Sequence, residues 1–258
     1  MDPRPGAENM AIDQAIGELY TVQQQPTLRF YRWAPACLSL GFRQRLARDV
    51  DQAACAALGI DIVRRPTGGR AILHDQEVTY SLVTASDDAL VRSSSIVQSY
   101  RMISEALCVG LGRLGITLEL APRPAPHSAT SAACFDLPSD YEITFNGRKL
   151  VGSAQSRQQN TLLQHGTILL HADTAAWTKV LRLPPMLDGP ALAQRLIALD
   201  EALGYLPPFE AVVAALVHGF EQTWQIALEP GTLTAAESAR AAELVREKYA
   251  APAWTARR

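Results

Sequence analysis

The amino-acid sequence predicts an α+β fold in which a mixed, largely antiparallel sheet is packed with helices. Three observations lead there. Strand-like and helix-like segments do not alternate in the regular β-α-β order that builds a parallel sheet. Tyr141 to Phe145 and Lys149 to Gln155 flank Asn146-Gly147, the strongest short signal for an antiparallel hairpin. From Pro208 onward the chain reads as mostly helical.

The elements follow in chain order. Met10, Ile12, Ile16, Leu19 and Tyr20 recur at helical spacing and predict a helix over 8–21. Leu28 to Trp33 reads as a strand. Asp49 is placed to cap a short helix ending at Gly59, and Ile60 to Val63 is then a short strand. Val78 to Thr84 is another. Ser94 or Ser95 opens a long helix with the stripe Ile96, Tyr100, Ile103, Leu107, Leu111 and Leu114, stopped by Gly115. Ile116 to Leu120 resumes as a strand, and a loop rich in Pro, Ser and Ala runs from Ala121 to Ala133. Loops of this length are uncommon without a purpose. Leu162 to Leu170 gives a strand beside the hairpin, Asp173 starts a helix, and Pro184-Pro185 interrupts the chain. Helices are expected over Pro208 to Gln225 and Thr234 to Tyr249, the second opened by Thr234 and Glu237 at capping-box spacing. The organisation expected is a body of residues 1–205 with a helical C-terminal extension, 206–258, packed on it.

Composition narrows the function classes. Of 258 residues, 48% are hydrophobic and 19% charged, which is globular rather than disordered. A net charge of −2 argues against a nucleic-acid partner. Within that balance, Arg43, Arg45, Arg48, Arg64, Arg65 and Arg70 are clustered; both a solvated basic face and a docking patch for an acidic partner fit them. The four cysteines, Cys37, Cys55, Cys108 and Cys134, form no C-x-x-C pair and no zinc spacing, so no metal is expected. Met1 to Glu8 has no apolar signal core, and no run of about 18 apolar residues predicts a membrane span. Free thiols and no membrane partner together point to the cytoplasm.

Two places carry candidate chemistry. Gly68-Gly69 lies between arginines, where glycines let backbone N–H groups approach a ligand and the arginines supply charge. It matches neither the P-loop nor the dinucleotide fingerprint. Cys134 ends the long loop and precedes Phe135-Asp136-Leu137-Pro138, unlike Cys37, Cys55 and Cys108, which read as small core residues. A reactive thiol needs a nearby cation, and Lys149 stands just past the Asn-Gly turn. A lowering of about 2 units from about 8.5 would make it mostly thiolate at pH 7. A Cys134–His165 pairing is the alternative. Gly152-Ser153-Ala154-Gln155 has small residues that permit close approach of a ligand, and Gln164-His165-Gly166 follows.

These segments resemble a known family. Arg64-Arg65-Pro66-Thr67-Gly68-Gly69-Arg70-Ala71-Ile72-Leu73-His74-Asp75 looks like the substrate loop of the lipoate/biotin protein ligase superfamily. Cys134-Phe135-Asp136-Leu137-Pro138-Ser139 with Tyr141-Glu142 resembles the active-site loop of its LipM-type octanoyltransferases. Gly147 to Gln155, Leu163 to Gly166, Asn9 to Asp13 and Lys248-Tyr249 are similar to the same family. The resemblance implies the catalytic-domain fold of biotin and lipoate ligases. It implies octanoyl-acyl carrier protein as donor, and the glycine cleavage H protein or another lipoyl domain as acceptor. By the same resemblance Cys134 carries the acyl thioester and Lys149 lowers its pKa. Arg65, Gly68, Gly69, Arg70, His74, Gly152, Ser153, Gln155, His165 and Gly166 line the acyl and carrier-arm pocket. No cofactor is expected, and a monomer is. An ATP-dependent lipoate–protein ligase, and an amidotransferase that takes octanoate from the H protein, are the competing readings; the first would need no cysteine nucleophile.

Overall fold

A computed structural model describes residues 2–23, 25–88, 90–91, 95–120, 142–158 and 160–257, the side chains of 21–23 excepted. Among these, a six-stranded sheet has the order β1-β5-β9-β8-β7-β6, every pairing antiparallel. Its strands are β1 (Thr27–Tyr31), β5 (Glu77–Ala85), β9 (Thr161–Leu169), β8 (Arg148–Gln158), β7 (Ile143–Phe145) and β6 (Glu119–Leu120). A three-stranded sheet joins β3 (Asp61–Arg64), β2 (Cys37–Leu40) and β4 (Ile72–His74), with β2 parallel to β3 and antiparallel to β4. The expected α+β class, mixed and largely antiparallel, is what the chain adopts.

Period-2 alternation gives the large sheet two buried faces. On one, Phe30, Tyr80, Leu82, Val151 and Ile168 pack under α4 (Ile96–Gly112) and α8 (Phe209–Trp224), which contribute Ile103, Leu107, Val212, Leu216 and Phe220. The other face is covered by α1 (Gly6–Gln23), whose Met10, Ile12 and Ile16 meet Tyr31, Val83 and Leu163. The small sheet lies beside α1. Its Leu38, Leu40 and Leu73 turn away, toward Cys55 of α3 (Gln52–Ala57) and Trp177 and Val180 of α5 (Thr174–Val180).

Helix α8 is therefore built into the main core. It meets α4 at glycines: a Cβ on Gly219 would lie 2.4 Å from the Ala106 carbonyl oxygen, and one on Gly110 would lie 2.7 Å from that of Ala215. The two backbones touch directly. After α8, α9 (Ala235–Leu244) runs into a π-helical turn, Val245–Tyr249, and the short α10 (Pro252–Ala256); α9 packs on α1.

Local signals explain most element ends. Ser95 caps α4 through Gln98 N, Asp173 caps α5, and Thr234 with Glu237 closes the expected capping box. Asn146 and Gly147 take φ of 50° and 75° at the β7–β8 turn, as a two-residue hairpin requires. Several expectations shift. Asp51, not Asp49, caps α3, and Asp49 instead ends α2 (Leu46–Asp49), where it is buried and bonded by Arg48. Strand β6 keeps only two residues of the expected Ile116–Leu120. Strands β2 and β4 had no sequence signal, because all their residues are buried and no alternation shows. The loop at 121–133 and residues 134–141, Cys134 among them, lie outside the described residues.

Gly219→Ala tests the close crossing of α4 and α8. A loss of about 1–3 kcal/mol of stability is expected, from backbone forced apart in a packed core; equilibrium denaturant unfolding measures it.

Candidate active site

Arg64 and Arg65 end β3, and successive side chains on a strand point to opposite sides. Arg64 is fully buried yet bonds only backbone carbonyls: Nη1 donates to Gly41 O (2.9 Å) and Gln44 O (2.7 Å), and Nη2 to Thr255 O (2.7 Å). Trp254 Nε1 returns a bond to Arg64 O at 2.9 Å. Arg65 turns the other way, into a cleft between the two sheets, and is 3% exposed. Its five N–H groups all find acceptors. Nη1 donates to Ser39 O and Oγ (both 3.0 Å), Nη2 to Gly68 O (2.8 Å) and Arg70 O (2.6 Å), and Nε to Thr67 Oγ1 (3.2 Å).

From Arg65 two relays lead to buried carboxylates. Ser39 Oγ, which accepts from Arg65, also hydrogen-bonds His74 Nε2, 2.7 Å away. His74 Nδ1–H then donates to Glu77 Oε1 at 2.7 Å, and Thr79 donates to the same oxygen. Trp33 stacks on the His74 ring, centroids 4.0 Å apart and planes at 11°, and donates Nε1–H to Thr79 Oγ1 at 2.7 Å. On the other side Thr67 Oγ1 accepts from Arg65 and donates to His165 Nε2 at 2.6 Å. His165 Nδ1 lies 3.5 Å from Asp13 Oδ2. Asp13 also takes Arg29 Nη1–H (2.7 Å), Tyr31 O–H (2.9 Å) and Ser81 O–H (2.8 Å).

A carboxylate oxygen can only accept, so each imidazole is assigned a proton on the Nδ1 that faces Glu77 or Asp13. Burial alone would raise the Asp13 carboxyl, but Arg29 and His165 outweigh it and hold the group below the usual carboxylate range. Burial pushes His165 down, against the pull of Asp13 and with help from Arg65. Tyr31 is pushed well up, first by burial and then by Asp13.

The cleft is otherwise apolar, with Met10, Trp33, Ile72 and Ala154 on its walls and Gly152 and Gly166 at its floor. Any side chain at Gly166 would collide, since its Cβ would lie 2.5 Å from Ser153 Oγ. Gly69 has φ 86°, and its Cβ would sit 3.0 Å from Arg65 Nη2 and 4.0 Å from the Ala154 Cβ, so the exposed glycine loop forms the rim. The cleft is an apolar slot with a few convergent polar groups.

A β-bulge aims Lys149. Ile143 pairs with Val151, yet the next residue, Thr144, pairs with Lys149, leaving Leu150 extra. The bulge turns Lys149 to the face opposite Val151, the face that bears Gly152, Ala154 and His165. There its ammonium, 5% exposed, forms a buried ion pair with Glu142, 2% exposed.

The structure brings Arg65, His74, Gly152, His165 and Gly166 to one cleft, with Gly68, Gly69 and half-buried Arg70 at its rim. It sends Ser153 and Gln155 to the other sheet face: Ser153 Oγ pairs with Tyr80 OH (2.7 Å), and Gln155 Nε2 donates to Gln164 Oε1 (2.9 Å). Ser39, Thr67, Glu77, Asp13 and Glu142 join the site without having been assigned roles from sequence. The available signal was a polar residue amid buried neighbours. The three described cysteines are poor nucleophiles. Burial, then Glu105, pushes Cys108 up to about 12; burial, then Asp51, pushes Cys55 up to about 11; burial pushes Cys37 well up. Among the described residues no cluster of His, Cys, Asp and Glu is arranged to hold a metal, and no helix is long and apolar enough to cross a membrane.

Residues 5–221 match the lipoyl protein ligase A/B catalytic domain, and the chain belongs to that family. It is 43% identical to an octanoyltransferase LipM of Kyrpidia tusciae over 98% of this chain and 95% of the relative. A LipM of Moorella thermoacetica is also 43% identical, over 97% and 93% of the two chains. In three dimensions it is similar to a T. acidophilum lipoate protein ligase with bound lipoic acid (TM-score 0.83, 26% identity, 99% and 95% covered). A lipoate-protein ligase A bound with ATP gives a TM-score of 0.82 at 27% identity, with 99% of each chain covered.

His165 makes stability depend on pH. Its folded pKa is depressed, so below the ordinary histidine value of about 6.5 the unfolded chain binds more protons and stability falls as pH drops. His165→Gln is expected to flatten the decline of Tm below about pH 6.5; thermal melts from neutral to acid pH measure it.

Proposed function

We propose that this protein is an acyltransferase that moves octanoyl groups in protein lipoylation through a thioester on Cys134. The observation that carries the reading is near-full-length similarity to LipM octanoyltransferases in a chain that has the cysteine motif and a lysine turned to the cleft face. Octanoyl-acyl carrier protein is the donor and the glycine cleavage H protein, or another lipoyl domain, the acceptor. One T. acidophilum neighbour was solved as a bipartite lipoate protein ligase and its E2 lipoyl domain, which supports a lipoyl domain as the docking partner. The enzyme acts in the cytoplasm, as a monomer.

The Cys134 thiolate attacks the donor carbonyl, the carrier's C–S bond breaks, and its sulfur leaves as a thiol after gaining a proton. The acceptor lysine, as the free amine, then attacks the acyl-enzyme carbonyl. Its nitrogen loses a proton, the Cys134 C–S bond breaks, and an amide forms. Thioester exchange is nearly even in energy and amide formation is downhill, so ATP has no part. Lys149, as an ammonium held by Glu142, favours the thiolate of Cys134. The apolar walls take the acyl chain. Arg65 and His74 fix the cleft, Gly68, Gly69 and Arg70 shape its mouth toward the carrier arm, Gly152 gives the chain room, and Gly166 lets the floor pack closely on Ser153. Burial disfavours the charged form of His165, which favours Lys149 over it as the cation beside the cysteine. Ser153 and Gln155 support the floor from behind.

Intact-mass analysis with octanoyl-carrier protein should show one added octanoyl group, absent in Cys134→Ser and independent of ATP. An adduct that survives Cys134→Ser sinks the thioester, and strict ATP dependence of acceptor modification would favour the ligase. Lys149→Ala should slow adduct formation at pH 7 by roughly 10- to 30-fold, the fall in thiolate fraction when a thiol returns to a pKa near 8.5; quench-flow mass spectrometry follows it.

A further inference from the structure

We propose that the exposed arginines beside the glycine loop, Arg43, Arg45 and Arg257, form the docking face for the donor, an acidic carrier protein with its phosphate-bearing arm; this rests on the acyl-transfer reading above.

The geometry ties these residues to the cleft mouth. Phe42 N donates to Thr67 O at 2.8 Å, and Gly41 packs so closely on the loop that its Cβ would lie 2.0 Å from Gly69 O. The exposed Arg43 and Arg45 follow directly in the chain. Arg257 reaches the same place from the C-terminal side, its guanidinium 4.5 Å from the centres of both the Phe42 and Trp254 rings. Arg182 extends the patch, donating to Ala47 O at 3.3 Å. The acid within this segment is Asp49, which is buried and already bonded by Arg48 at 2.7 Å.

The chain as a whole has 24 Lys and Arg against 26 Asp and Glu, so this face is positive against the average of the surface. Such a field attracts an anionic partner and speeds its approach. The donor's arm carries a phosphodiester, which the guanidinium groups attract. The rim that Gly68 and Gly69 form is then the point where the arm turns from the basic face into the cleft.

The test is Arg43→Glu/Arg45→Glu, with Arg257→Glu as an independent variant from another part of the chain. Carrier binding is titrated at several salt concentrations, and acylation is compared between octanoyl-carrier protein and octanoyl-pantetheine. The expected result is a Kd and KM for the carrier raised about tenfold or more, with a shallower salt dependence. Rates with octanoyl-pantetheine should change far less. Unchanged carrier affinity would overturn the proposal. So would an equal loss with both donors, or normal acylation followed by slowed handover to a lipoyl domain. Salt-dependent carrier binding that the variants weaken, without any adduct on wild-type Cys134, would support the docking face while removing the thioester reading.

Discussion

The site depends on one buried cation. Arg65 donates to the carbonyls of Ser39, Gly68 and Arg70 and to the Ser39 and Thr67 hydroxyls, and those hydroxyls lead on to two imidazoles and the carboxylates of Glu77 and Asp13. Neighbouring links share atoms, so the side chains of the cleft are held as one hydrogen-bonded network rather than residue by residue. The fork geometry is specific to arginine: a lysine at this position would offer three donors around a point instead of five in a plane. The same guanidinium holds the carbonyls of Gly68 and Arg70, so the rim of the cleft and its interior share one anchor.

The sheet makes this arrangement possible by dividing labour between its faces. One carries the largest apolar cluster, packed against α4 and α8. The other carries Arg29, Tyr31, Thr79, Ser81 and His165, polar groups that strand alternation places side by side. A cleft lined with polar groups is costly unless each is satisfied, and α1 and the small sheet provide the partners. At β7–β8 the alternation is broken once, and that break turns Lys149 and its ion pair with Glu142 toward the cleft side.

What the sequence disclosed follows from the range of the interactions involved. The Asn146-Gly147 turn, the Ser95 cap and the Thr234–Glu237 box involve residues a few positions apart, and each was legible. So was the gathering of the glycine loop, Gly152 and His165, through family resemblance rather than spacing. The relays were not legible. Thr67 and His165 are 98 residues apart, Ser39 and His74 are 35 apart, and nothing local marks them as partners. The faces of Ser153 and Gln155 were missed for a related reason: a run of small and amide residues shows that backbone can come close, but the side of the sheet is set by register with β9. Asp49 had the chemistry of a cap, and Asp51 took the role because Gln52, not the residue after Asp49, starts the helix.

The clasp around Arg64 bears on the cleft mouth as well. The loop that shapes the cleft mouth is stapled to Trp254 and Thr255, about 190 positions further along the chain. Two distant parts of the chain thus hold one entrance: Arg65 secures the rim from within, and the carbonyls of Trp254 and Thr255 secure the strand that carries it from outside. A change in the last described residues therefore reaches the cleft mouth without touching any residue that lines the cleft.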